Sequence, residues 1–173
     1  ILAGEAATTA HPMWTDAPLA DGQTIAFELG GCMKRYNVGL ARTVHLGTPP
    51  DNLRRTAEAV EEGMAAVMDS LKPGVVASDV HAAWQRVLDR YGLEKPSRIG
   101  YSIGVGYAPD WGEHTLSFRP RETTLVPEHA VVHVILGMWM DDWGMELSET
   151  LHVRGGGCER LCDFPQHVHV VGT

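Results

Sequence analysis

The chain is poor in cysteine, in aromatic residues and in positive charge. Its 173 residues include 3 cysteines, 7% aromatic residues, and 14 Lys or Arg against 22 Asp or Glu, for a formal net charge of -8. An acidic surplus repels polyanions, and basic residues form only short pairs such as Arg54 and Arg55. Nucleic acid is therefore not an expected partner.

Cysteine usage and hydropathy also indicate the cellular compartment in which the protein works. Cys32, Cys158 and Cys162 form neither an even set nor a Cys-x-x-Cys pair, which disfavours a disulfide framework and is typical of a reducing cytoplasm. The longest apolar run, 130–140, contains His133 and is shorter than the roughly 18 residues that a membrane helix needs. The sequence predicts a cytoplasmic protein with no membrane partner.

The composition is that of one folded unit. A chain that is 44% hydrophobic and 21% charged suits a single globular domain with a real core. Its first residues have neither a start methionine nor the basic and apolar regions of a signal peptide. We expect them to continue an earlier part of a longer protein.

Local patterns predict a mixed α+β fold. An apolar strand from Thr24 to Leu29 is expected to turn at Gly30-Gly31 into a second strand, which ends before Pro49-Pro50. Apolar residues at spacings of three or four predict one amphipathic helix in 51–74 and another in 76–96. The last third predicts strands, at 98–105, 115–118, 130–140 and 145–153.

Seven phrases occur in a suggestive order: HPMW, TIAFELGG, YNVGLARTVHLG, KPG, RIGYSIGVGY, HVILGMW and MELSETLHV. Together they resemble the methionine aminopeptidase and creatinase family, whose catalytic domain has the pita-bread fold, a curved antiparallel sheet covered by helices. The phrases ELGG, RIGYSIG, PDWGEH and MWMDDWGMELSE resemble its ectoine hydrolase branch. The resemblance implies that residues 1–173 are a partial carboxy-terminal catalytic domain without its first helical part, and that the protein is a homodimer with a separate amino-terminal domain.

The same resemblance bears on metal binding. In the family's metallopeptidases five side chains hold two metals, and the matching positions here are Glu28, Gly39, Tyr101, Ile135 and Ser148. Only Glu28 is a good carboxylate ligand, whereas a two-metal site needs several charged oxygen or nitrogen donors. We therefore expect no metal and no other cofactor.

Strand alternation suggests which side chains share the inward face. If 145–153 is a strand, Glu146 lies on the face of Ser148, and His133 and Trp139 lie on the face of Ile135. With the resemblance, this predicts two sets of site residues. The catalytic set is Glu28, Glu113 and His133, and the substrate-binding set is His11, Tyr101, Trp139 and Glu146.

Two carboxylates among aromatic walls suit a small cation. The resemblance implies a zwitterionic cyclic amidine, ectoine, whose ring would be opened by Glu28 with proton transfer by Glu113 or His133. Creatine hydrolysis and a non-catalytic binding module are the alternatives. For individual residues, Glu28 as a solvent-facing edge carboxylate, His133 as a hydrogen-bonded core histidine and Trp139 as a core residue also remain open.

Overall fold

The computed structural model of the protein describes residues 1–172. Most of these residues belong to eleven strands, two α-helices and a short 3-10 helix at Gly4–Thr8. The helices are α1 (Asp51–Ser70) and α2 (Ala77–Tyr91). In chain order the strands are β1 (Leu2–Ala3), β2 (Thr24–Met33), β3 (Tyr36–Leu46), β4 (Gly100–Ile103), β5 (Gly112–Phe118), β6 (Val131–Ile135), β7 (Met138–Trp139), β8 (Gly144–Met145), β9 (Ser148–Arg154), β10 (Gly157–Arg160) and β11 (His169–Val171).

Nine strands form one curved sheet. Its main order is β1-β2-β3-β9-β6-β4-β5, with β10 beside β9 and β11 beside β3. All pairs in this sheet are antiparallel except β11 with β3. The predicted α+β class and curved antiparallel sheet are confirmed, and the first helix after β3 is α1, as the apolar spacing predicted.

The β2–β3 hairpin turns later than the sequence suggested. The turn is Lys34–Arg35, where both residues have positive φ (50° and 67°), and it joins strands paired from Thr24 with His45 to Met33 with Tyr36. The prediction of a turn at Gly30-Gly31 was wrong. Gly30 lies in the strand, and the space of its missing side chain is taken by Trp111, whose ring would lie 2.4 Å from an added Cβ.

The two helices pack on one face of the sheet. Leu53, Val60 and Met64 of α1 and Trp84 of α2 meet sheet residues such as Phe118 in a common buried core. This apolar burial is the main stabilising contribution to such a layer. The opposite, concave side carries the polar groups described below. No helix within residues 1–172 is long and apolar enough to cross a membrane.

Two predicted strands are interrupted. Residues 130–140 divide into β6 and β7 because the Leu136 N–H leaves the ladder and donates to the Leu147 carbonyl, and the Trp139 ring folds back over Gly137. Residues 145–153 likewise divide into β8 and β9. The interruption at Glu146 places this side chain at the edge of an open cavity.

Candidate active site

A cavity of about 470 Å³ opens on the concave side of the sheet. It brings together five of the seven predicted site residues, namely His11, Glu28, Tyr101, Trp139 and Glu146. These come from five separate chain segments, so the cavity exists only in the folded sheet. The other two predicted residues, Glu113 and His133, do not line it.

Glu28 is fixed by the centre of the β2–β3 ladder. It pairs with Ala41, which in turn pairs with Ser148 of β9. Its side chain is 23% exposed, and His11 Nε2 lies 3.9 Å from its Oε2. The side chain is mostly buried and borders the cavity, which disfavours the alternative of a solvent-facing edge carboxylate.

Glu146 is more deeply buried than Glu28. Its backbone N–H donates to Thr43 Oγ1, and the Thr43 hydroxyl donates to its carbonyl, both at 2.8 Å. This clamp holds the residue where β8 and β9 separate. Burial, together with the nearby charge of Glu28, raises the pKa of Glu146 from 4.5 to about 7. Glu146 is thus able to hold or release a proton near neutral pH.

His133 lies behind the cavity wall at 0% exposure. Its Nε2 is 2.8 Å from Ser148 Oγ and its Nδ1 is 3.4 Å from the Tyr101 hydroxyl, which accepts a 2.8 Å hydrogen bond from Trp111 Nε1. Burial lowers the pKa of His133 to about 4, so the ring is neutral at neutral pH. This geometry favours the alternative of a hydrogen-bonded core histidine that positions Tyr101.

The His133 ring also occupies the space where a second metal ligand would stand. An added Cβ at Gly39 would lie 2.6 Å from His133 Cε1, so no larger side chain fits there. Ile135 supplies no donor atom, and Ser148 is hydrogen-bonded to His133. Within residues 1–172, no group of three or more His, Cys, Asp or Glu side chains is arranged to hold a metal ion. The residues at the five family positions do not fit a two-metal site.

Lys95 is the main cavity residue that the sequence did not reveal. It is 5% exposed, its ammonium donates to Ser97 Oγ at 2.8 Å, and Nζ lies 4.1 Å from the centre of the Trp139 ring. Burial lowers its pKa to about 8. A lysine before a proline in a loop is ordinarily exposed, and this one is buried by tertiary contacts, among them the Trp139 ring.

The segment 109–114 forms the outer wall of the cavity. Trp111 Nε1 donates a hydrogen bond to the Tyr101 hydroxyl, and His114 Nε2 lies 2.7 Å from Asp110 Oδ2. All residues of this segment except Glu113 border the cavity. Glu113 instead is exposed and points toward Gly104, whose added Cβ would lie 2.3 Å from its Oε1. Glu113 therefore does not border the cavity, although Gly112 and His114 on either side of it do.

Comparison with solved structures identifies the architecture. The chain superposes on the dipeptidase PepE from Mycobacterium ulcerans with a TM-score of 0.90, covering 99% of this chain and 46% of that protein at 22% identity. It superposes on the X-Pro aminopeptidase from Thermotoga maritima with a TM-score of 0.88 at 21% identity, covering 98% of this chain and 48% of that one. At these identities the likeness establishes the fold, which is the predicted pita-bread fold.

Sequence comparison then establishes the family. Residues 1–155 match metallopeptidase family M24, and the chain belongs to that family. It is 38% identical over 168 residues to the ectoine hydrolase of Halomonas elongata, covering 96% of this chain and 42% of that protein. The chain thus spans less than half the length of this relative.

Proposed function

We propose that the chain forms the catalytic part of a hydrolase that opens the ring of a small zwitterionic cyclic amidine, with ectoine as its substrate. One observation carries the proposal: Glu28 and Glu146 converge on one cavity beside the aromatic rings of Tyr101 and Trp139. An amidinium can pair its two N–H groups with a carboxylate in a charged, bidentate arrangement. The similarity to an ectoine hydrolase supports this choice of substrate.

The proposed reaction adds one water across one ring bond. Glu28 either removes a proton from the water that attacks the amidine carbon, or attacks that carbon itself and is then displaced from it by water. On both routes the C–N bond on one side of that carbon breaks, the carbon gains a C=O bond with the oxygen of the water, and the released nitrogen gains a proton. The product is an N-acetyl-2,4-diaminobutyrate, and the carboxylate of Glu28 is regenerated.

Glu146 is the group best suited to supply the proton. Its carboxyl borders the cavity, and a pKa of about 7 leaves part of the population protonated at neutral pH. A proton donor is most effective when its pKa lies near the working pH. Glu146 therefore takes the role that the sequence had assigned to Glu113 or His133, neither of which borders the cavity.

The direct test is incubation of the full-length protein with ectoine and, separately, with creatine, with products identified by mass spectrometry. Formation of an N-acetyl-2,4-diaminobutyrate from ectoine supports the proposal. Turnover of creatine alone would indicate a guanidine substrate. Turnover of neither, with a purified and folded protein, would favour the non-catalytic binding module.

Metal independence is part of the proposal and gives a separate prediction. Activity toward ectoine should survive exhaustive chelation, because four of the five family positions offer no carboxylate or imidazole ligand. The measurement is the initial rate before and after EDTA treatment, followed by dialysis. Loss of the rate and its return with Mn, Co or Zn would contradict the donor assignment.

Trp139 should contribute to substrate affinity. Its ring borders the cavity and is only partly buried, and it also lies against the ammonium of Lys95 on the cavity wall. Loss of this apolar wall and of the cation–π contact, worth about 0.5 to 2 kcal/mol, should raise KM for ectoine by about tenfold in Trp139→Ala while a measurable kcat remains. Trp139→Phe, which keeps an aromatic face, should lie closer to the parent. A variant that only loses thermal stability, with parent-like KM, would assign Trp139 to the core.

A further inference from the structure

The wall of the same cavity also carries positive charge, on residues that are distant in sequence from Glu28 and Glu146. Lys95 and Arg98 both border the cavity and are contributed by the loop between α2 and β4. The two differ in burial. Lys95 is 5% exposed, whereas the Arg98 side chain is exposed and its guanidinium lies 4.4 Å from the centre of the Tyr101 ring.

The charge of Lys95 is incompletely satisfied by the protein. An ammonium has three N–H donors, and the contacts described within residues 1–172 give it one hydrogen bond, to Ser97 Oγ, and the face of Trp139. The charge of Glu146 acts on it electrostatically. Burying a cation costs free energy unless it is paired and hydrogen-bonded. A buried lysine with free donors at a cavity wall is therefore suited to bind an anionic group of a ligand.

We propose that Lys95 binds the carboxylate of the substrate and thereby makes the enzyme selective for amidines that carry one. The inference rests on the proposed hydrolase function and extends it to substrate selection. With Glu28 paired to the amidinium, Lys95 holds the opposite charge of the same zwitterion. Trp139 keeps the ammonium in place, because its ring lies against Nζ and restricts the long side chain.

The contact is expected to exist at neutral pH. With a pKa of about 8, Lys95 is protonated in most molecules at pH 7. A hydrogen bond to a charged group contributes more than one between neutral groups. Because Lys95 itself is buried at the cavity wall, the contact should affect affinity measurably.

The test compares two substrates in the full-length protein. One is ectoine, and the other is the same methylated cyclic amidine without its carboxylate. Lys95→Met, which keeps the length of the side chain but removes its charge, should raise KM for ectoine by about 10-fold to 100-fold and change KM for the carboxylate-free amidine by less than about twofold. Lys72→Met, at an exposed lysine between the helices, is the matched control and should leave both values unchanged.

Different outcomes separate this inference from the proposed function. If the parent protein turns over neither amidine, the hydrolase proposal fails. If the parent is active and Lys95→Met lowers kcat equally on both substrates, or raises KM equally on both, Lys95 does not bind the substrate carboxylate. Should Lys95→Met not fold, the parent alone decides: it should prefer ectoine to the carboxylate-free amidine by about 10-fold or more in KM, and equal KM values would overturn the proposal.

Discussion

Glu28→Gln should reduce turnover of ectoine by at least about a hundredfold while the protein still folds. The substitution keeps the shape of the side chain but removes its charge, its basicity and its power as a nucleophile. Positioned acid or base catalysis alone typically contributes about a hundredfold to ten-thousandfold. Within residues 1–172, the one ion-pair contact of Glu28 is with the exposed His11. Its loss should therefore affect catalysis far more than stability.

The control for this experiment is Glu113→Gln, which removes a carboxylate from the neighbouring but exposed position outside the cavity. We expect it to retain a near-parental rate. A purified, folded Glu28→Gln protein that hydrolyses ectoine as fast as the parent would contradict the mechanism. A strong loss in Glu113→Gln would restore that residue as the proton donor.

The two routes for Glu28 can be separated by trapping. If Glu28 attacks the amidine carbon, rapid quenching during turnover should leave substrate mass on a peptide that contains Glu28. If it activates water, no such adduct forms. Solvent oxygen ends on the same carbon whether water attacks the amidine or displaces Glu28 from it, so the adduct is the observation that distinguishes the two routes.

The fold was largely predictable because most of its signals are local or repeat along an element. The spacing of Leu53, Val60 and Met64 fixed α1 without knowledge of its neighbours. The hairpin turn was missed because Gly30 and Gly31 resemble turn residues. The observed turn at Lys34–Arg35 requires positive φ at both residues, and neither lysine nor arginine is a residue type typical of this conformation.

The site was predictable where one strand determined it and unpredictable where several elements meet. Alternation placed Glu146 on the inward side, and the structure puts it at the cavity. The same alternation put His133 inward but gave no sign that Tyr101 and Trp111 would cover it. Lys95 was missed for a similar reason, since its burial depends on a ring much further along the chain. Burial of a side chain by residues from distant parts of the chain leaves no periodic pattern in the sequence.

The raised pKa of Glu146 leads to one prediction about catalysis and one about stability. Its pKa is about 7 in the folded protein against an ordinary value of 4.5, so the folded state binds the proton more tightly than the unfolded state. The stability associated with this group is fully present below about pH 4.5 and is lost as the pH rises through 7. Through this pKa shift alone, the folded state is about 3 kcal/mol less stable at pH 8 than below pH 4.5. His133 acts in the opposite direction, because its lowered pKa makes stability fall as the pH decreases from 6.5 toward 4.

Glu146→Gln should therefore make the protein more stable and less active at the same time. Glutamine is neutral at every pH, so the variant avoids the cost of a buried charge, and its thermal midpoint should exceed that of the parent clearly at pH 8 and little or not at all at pH 4.5. Because His133 is present in both proteins, its contribution cancels in this comparison. The parent's kcat/KM should fall as the pH rises above about 7, whereas Glu146→Gln, lacking the proton donor, should be at least about a hundredfold slower and should lack the decline near pH 7, keeping only a decline from the deprotonation of Lys95. Equal thermal midpoints at pH 8 would show that Glu146 is not buried as an ionised group, and an unchanged pH profile would assign proton transfer to another residue.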